Sequence, residues 1–417
     1  MSALFNASRA RQYMRQFDID ALVATSATNV KYFSGYSCWL DPLFKEYMMS
    51  PGGSSNLLQR SYAVFADEGE PALIVKSLMA ADAADFDHTE LRLYGDPGLD
   101  FSLPADAGTE TERRFVNFLR DAKRHQSGIE ALAAVLQERG LADATIGIEM
   151  EGLPNELRRA VSQALPLARL RDCTNLIRLV RAVKTPAEVN LLARAAEIAE
   201  QAAAESLALA HIGGVARELV QHFRSGVAAA GAACDHFSFS LSGLGICADL
   251  DYRFRPNDVL FIDYGCIFGS YFSDTGTALA FAELKPELAR RYALLQSCIE
   301  AGTHAMCPGA KASSIQKAMQ DVLREGGIVV SFPHGHGMGL EVRDYPILVP
   351  ATGLPIRDDC VVLDSDLTME EGMVNNLEAP LFMATAGALQ IEKTFLVTAD
   401  GNRELVYQDR SRPYIVA

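Results

Sequence analysis

The most constraining stretch of this 417-residue chain is Val259 to Thr277, VLFIDYGCIFGSYFSDTGT. The apolar run Val259-Leu260-Phe261-Ile262 predicts a buried strand that leads into Asp263, and a glycine-bearing hairpin returns the chain to Ser273-Asp274. Strand–turn–strand geometry brings these two carboxylates close together although they lie eleven residues apart. Carboxylates at the inner ends of apolar strands need a partner, because an unpaired buried charge is very costly. A divalent cation is one such partner, and it needs further ligands from elsewhere in the chain.

Those ligands appear downstream. His336 lies in the glycine-rich run Pro333 to Leu340, PHGHGMGL, where backbone can approach an ion closely. Glu378 falls in the strand-like VNNLEAP and Glu392 in LQIEKT. With Asp263 and Asp274 these make four carboxylates and one imidazole. Four carboxylates and a hydroxide carry too much charge for one divalent cation and match two. Oxygen-rich ligation with a single histidine favours manganese first, then cobalt, iron or zinc, over a thiolate site. Two ions about 3.5–4 Å apart can hold a bridging hydroxide that is nucleophilic near neutral pH.

Charge and cysteine usage narrow the setting. The net charge of −15 lacks the basic footprint that nucleic acid or an anionic membrane requires as a partner. Eight scattered cysteines with no CxxC read as reduced thiols, and the N-terminus has no signal pattern, so a soluble, cytoplasmic protein is expected. No run of about 18 apolar residues occurs that could span a membrane.

In chain order, a helix over 7–18, a buried strand from Ala21 to Ser26 and a helical turn closing at Gly35 are expected. An irregular segment from Trp39 to Arg60 follows, then hairpin strands Tyr62 to Ala66 and Ala72 to Val75. A helix over 111–140, a strand from Thr145 to Glu149 and a helix over 154–165 complete an alternating α/β unit. Thr185 can cap the next helix, with Pro186 at its first position. Two helix pairs, each followed by strands, hint at an internal duplication.

The order Asp263, Asp274, His336, Glu378, Glu392 in these contexts resembles the pita-bread metallohydrolases, among them methionine aminopeptidase, Xaa-Pro aminopeptidase, prolidase and creatinase. Asp263-Tyr264-Gly265 through Gly269 and Ser273-Asp274 is similar to that family's D-x-G-x4-GYxSD pattern. Gly335-His336-Gly337, Gly372-Met373 with Glu378, and Ile391-Glu392-Lys393-Thr394 resemble its later motifs. Ala21 to Gly35 and Ala182 to Glu188 are similar to the Xaa-Pro branch. The resemblance implies an α/β (α+β) chain, with a creatinase-type N-terminal domain over 1–176 and a pita-bread catalytic domain over 177–417. It also implies a homodimer and these roles: Asp263 binding one ion, Asp274 and Glu392 bridging, His336 completing the other. Glu378 would be both ligand and general acid/base.

Departures from the family pattern bear on substrate. The histidine usual seven residues after the ligand histidine is Arg343, and the usual His-Tyr pair upstream of the first aspartate is Asp251-Tyr252. Arg343 can clamp a substrate carboxylate or pair with Asp344 or Glu341. Asp251 can bind a substrate amine or stand as a solvated charge. Lys393 and Gly276 replace an acidic or amide residue and an arginine, which reads as one compensating exchange. His334 reads as an orienting partner in the catalytic group, and His236 can take over a missing histidine's place at the substrate. Trp39 is a further substrate-facing candidate. Three readings follow: an Xaa-Pro dipeptidase or aminopeptidase, a non-peptidase relative, or a catalytically silent binder. The second covers creatinase-like and ectoine-hydrolase-like enzymes and the metal-dependent dimethylsulfoniopropionate lyase.

Overall fold

Short apolar strands alternating with amphipathic helices build the first half of the chain. The computed structural model describes residues 3–38, 60–83, 90–102, 108–151, 153–247 and 251–416. It divides into two units, Met1–Val180 with Ile356–Leu363, and Arg181–Pro355 with Asp364–Ala417. Trp39 lies outside the described residues.

The first unit is built on a seven-stranded sheet with Ala21–Ala24 and Tyr62–Ala66 near its middle. Tyr62–Ala66 runs antiparallel to both of its neighbours, Ala21–Ala24 and Ala72–Lys76, so the expected hairpin is present. The outer strands pair in parallel. Val23, Val64 and Ile74 meet Leu132 and Leu136 in its core. Buried Glu149 accepts bonds from Thr25 N, Ser26 N and Asn29 Nδ2, placing a carboxylate at the start of helix Ala27–Ser34. Gly35 ends that helix at a φ of 83°, a left-handed conformation that favours glycine.

One expectation fails here. The single helix over 111–140 is instead Glu110–Asp121, a short strand Arg124–His125, and Gly128–Glu138. Ala122 is extended and Ser127 caps the second helix through Glu130 N, so local capping chemistry divides an otherwise helical composition.

The second unit is an eleven-stranded sheet. Its main path runs Asp344–Leu348, Gly335–Gly337, Val374–Met383, Gly387–Thr398, Thr275–Ala280, Val259–Phe268, Ala233–Ser240, Ile246–Cys247. Helices Pro186–Leu207 and Ala216–Ala229 pack on the half containing Phe237, Leu260, Ile262 and Tyr264. Helices Pro286–Ala305 and Ala312–Glu325 cover Leu377, Ala379, Leu389 and Ile391 on the other half. Strand side chains alternate between faces. Asp263, between Ile262 and Tyr264, therefore turns away from the helices, as do Glu378 between Leu377 and Ala379, and Glu392 beside Ile391. Apolar residues at every second position thus commit one face to the core and leave the other for polar groups. Among the described residues, no helix is long and apolar enough to cross a membrane.

Helix Pro186–Leu207 starts with Thr185 as cap, Pro186 in the first turn and Glu188 closing a reciprocal capping box. Glu188 is buried and also accepts the Tyr271 hydroxyl at 3.1 Å. Burial pushes its carboxyl from 4.5 up to about 7, against the Thr185 amide and the Lys184 charge. The folded chain therefore holds this proton more tightly than the unfolded chain, and stability from this group falls as pH rises between those two values. About 3 kcal/mol is lost across that window. Urea unfolding of Glu188→Gln between pH 4.5 and 8 is expected to show a flatter pH profile than wild type. Superimposable profiles would exclude Glu188 as the source.

Candidate metal centre

Register brings the polar residues into one lateral row. Across neighbouring strands Ser238 faces Asp263, Asp263 faces Gly276, Gly276 faces Glu392, and Glu392 faces Glu378. An antiparallel bridge adds His334 opposite Glu378. Cross-strand partners share a face, so Asp263 and Glu392 flank the bare backbone of Gly276.

Asp274 sits two residues before Gly276, with His236 Nε2 3.4 Å from its Oδ1 and His336 Nε2 3.4 Å from its Oδ2. His236 Nε2 also lies 3.0 Å from Asp263 Oδ1. Fully buried His336 is held through its backbone N–H, which donates to Asn376 Oδ1 at 2.7 Å. Asn376 Nδ2 reaches both His336 Nε2 at 3.0 Å and Glu392 Oε1 at 2.6 Å. Gln390 Nε2 donates to the other Glu392 oxygen at 2.7 Å. Glu378 Oε1 lies 2.7 Å from His334 Nε2 and 3.7 Å from Arg343 Nη2.

The donor set fits divalent cations. Burial, then the charges of Asp274, Asp263 and Glu378, raise the Glu392 carboxyl well above the usual carboxylate range. Asp263 is likewise raised by burial and by Asp274 and Glu378, despite His236. Burial also works against the Asp274 charge, but hydrogen bonds from His236 and His336 outweigh it and hold that carboxyl low. Without positive charge among them some of these carboxyls keep their protons; a divalent cation would let all four ionise in so small and dry a volume. Carboxylates and imidazoles are the ligands that first-row divalent ions accept.

The structure therefore brings together Asp263, Asp274, His336, Glu392, Glu378, His334, Arg343 and His236. Other expectations need correction. Asp251 forms a surface pair with Arg217 at 2.8 Å and its side chain is 80% exposed, so the solvated-charge reading describes it. Tyr252 directs its hydroxyl to Asp258, beside the start of strand Val259–Phe268, while Asp263 is further along that strand. Tyr252 bonds Asp258 and Asp251 bonds Arg217, while strand direction carries Asp263 away from both. Arg343 does not pair with Asp344 or Glu341, which both receive buried Arg181 at 3.1 Å; it turns to His334 and Glu378. Lys393 points off the site face to Glu404, so the exchange with Gly276 does not occur. Gln390 leans over Gly276 instead, where an added Cβ would collide with its amide.

Sequence reasoning missed Asn376, Gln390 and Asp235. Asn376 and Gln390 each precede a glutamate by two positions, which places them on that glutamate's face of a strand. Asp235 adjoins His236, and its Oδ2 lies 2.8 Å from His236 Nδ1.

Residues 190–399 match the family model described as Metallopeptidase family M24, and residues 7–183 match the Creatinase/Prolidase N-terminal domain. The chain belongs to metallopeptidase family M24 and is a hydrolase of the branch with a creatinase/prolidase N-terminal domain. Membership of that family implies divalent metal ions. It is 23% identical to "Uncharacterized peptidase YqhT" of Bacillus subtilis, over 96% of this chain and 98% of the relative. It is also 23% identical to the Xaa-Pro dipeptidase of Pyrococcus horikoshii, over 64% of this chain and 74% of the relative. The solved Xaa-Pro dipeptidase from Bacillus anthracis shares its fold with a TM-score of 0.73 at 18% identity, covering 100% of each chain.

Gly276→Ala tests the packing over the row. The new methyl group is expected to displace Gln390 from Glu392 and to cost about 1–3 kcal/mol of stability by overpacking. Loss of that support for Glu392 should weaken divalent-ion binding roughly 10–100-fold in a calorimetric titration. Unchanged affinity would mean Gln390 has no part in holding Glu392.

Proposed function

We propose that this chain is a two-metal hydrolase that cleaves a C–N bond in a small, amino-acid-like substrate, with Xaa-Pro dipeptides as the default. The observation that carries this reading is the convergence of Asp263, Asp274, His336, Glu378 and Glu392 on one sheet face. Those five residues would hold the ions, with manganese the first choice. When bound, two such ions polarise a carbonyl and make water nucleophilic near neutral pH.

The chain's own residues do the rest. Glu378 keeps one oxygen on His334 at 2.7 Å, and that pair can retain a proton and release it to the departing amine. Burial lowers the His334 affinity for protons, but the Glu378 carboxylate more than reverses this and raises it above its ordinary value. Arg343, with its side chain 57% exposed, can reach outward to take a substrate carboxylate in a two-pronged hydrogen bond. Half-buried Phe382, its ring centroid 5.3 Å from that of buried Phe261, shares the site face and can offer an apolar surface to a ring such as proline. A homodimer in the cytoplasm accompanies this reading.

Arg343 also favours a second reading, hydrolysis of another amino-acid-derived amide, because it stands beside Glu378 where the resembled peptidases carry histidine. Metal-loaded protein assayed on Xaa-Pro dipeptides and on N-acyl and cyclic amides separates the two. Cleavage of the dipeptides is the expected result; their uniform inertness beside a cleaved amide would select the second reading. Arg343→Ala is expected to raise KM for carboxylate-bearing substrates by tenfold or more, about 1.4 kcal/mol, at unchanged metal content. Parallel loss of metal would reassign Arg343 to support of the ion site.

A further inference from the structure

We propose that His236 is itself a metal ligand, completing with Asp263 and Asp274 the first of the two ion sites, and that Asp235 orients it. This deepens the two-ion reading above and rests on it.

The geometry of the ring carries the inference. His236 Nε2 stands 3.0 Å from Asp263 Oδ1 and 3.4 Å from Asp274 Oδ1. One donor atom from each of these three residues can be chosen so that all lie within 4.8 Å of one another. Donors that bind one cation at about 2.1 Å are separated from each other by roughly 3–3.5 Å, which matches the two distances from His236 Nε2. The other ring nitrogen, Nδ1, lies 2.8 Å from Asp235 Oδ2. A neutral imidazole has one N–H to give. Given to Asp235, it leaves the Nε2 lone pair facing two carboxylates, where either a proton on Nε2 or a cation between the three groups balances the charge, and a cation bound there takes the place of that proton. A carboxylate on the far nitrogen is also how ligating histidines are ordinarily fixed in tautomer and angle.

The backbone makes room for this placement. Gly265 is the cross-strand partner of His236, and a Cβ there would stand 2.7 Å from His236 Cε1. The glycine two residues after Asp263 thus lets the imidazole lie across the strand toward the carboxylates. Asp274 then presents Oδ1 to His236 and Oδ2 to His336. Each ion receives one imidazole, a richer nitrogen set than five ligands with a single histidine. That set shifts preference from manganese toward cobalt, iron and zinc.

The test uses the whole chain, stripped with chelator and reloaded with Co²⁺, read by calorimetric titration, metal analysis and paramagnetic proton NMR. Wild type should bind two ions and show two exchangeable, strongly shifted imidazole N–H signals, from His236 and His336. His236→Ala should lose one signal and weaken one ion at least about 100-fold, while Asp235→Asn keeps the ion but weakens it roughly 10–100-fold. Two bound ions with a single imidazole signal in wild type would overturn the assignment of His236 and leave the two-ion reading standing. So would a His236→Ala protein with both affinities unchanged. Failure of wild type to bind Co²⁺ would overturn the two-ion reading, and this inference with it. Circular dichroism checks the fold of each variant, and loss of one signal in His236→Ala assigns that signal to His236, whereas two signals kept in that variant would assign it to His334, beside Glu378, and overturn the inference.

Discussion

The structure turns on the confinement of four carboxylates to one face of a sheet whose other face is committed to helices. Charges in such a place repel one another strongly, because little solvent screens them. The hairpin that carries two of them is fixed from behind. Tyr264 and Thr275, the neighbours of Asp263 and Asp274, turn to the helix side and both bond Glu200. Arg410 closes that network on Glu200, the Tyr264 hydroxyl and the Gly276 carbonyl. One side of each strand thus satisfies its charges within the protein, while the facing side keeps its charges for a ligand. A hairpin anchored in this way can hold repelling groups at short range without rearranging.

Most of this is legible in the residues because strands have a period of two. An acidic residue interrupting an apolar run, as Asp263 does in Val259 to Tyr264, declares its face through the alternation alone. The same reasoning locates Glu378 and Glu392, and the cap at Thr185 and Pro186 is readable from local chemistry. What escapes is lateral register. The row from Ser238 through Gly276 to Glu378 depends on pairing between strands far apart in sequence, and nothing local specifies it. For that reason Gln390 over Gly276 goes unseen, while Lys393, one position from Glu392 and so on the other face, is overvalued.

Loops are the harder part for a related reason. Asp251 and Tyr252 lie just before strand Val259–Phe268, and their distance from Asp263 along the chain says little about where a connecting segment turns. Arg217 and Asp258 stand ready to take them, and a solvated pair costs less than a charge led into a crowded acidic site.

Arg343 shows the converse. It follows a glycine-rich run, yet its position is well determined, because its neighbour Asp344 is buried against Arg181 at 3.1 Å and Lys184 at 3.8 Å. Removing one partner from a buried ionic group of this kind is strongly destabilising, which makes the anchor stiff. The backbone at Asp344 is therefore pinned while the adjoining guanidinium is left half in solvent beside Glu378. A charge mounted on a rigid base but free at its tip is suited to meeting an incoming anionic group, because little ordering remains to be done when that group arrives. The carboxylate row and the half-exposed arginine thus obey the same rule. The fold concentrates its rigidity in backbone positions, and the chemistry is done by the side chains that those positions aim.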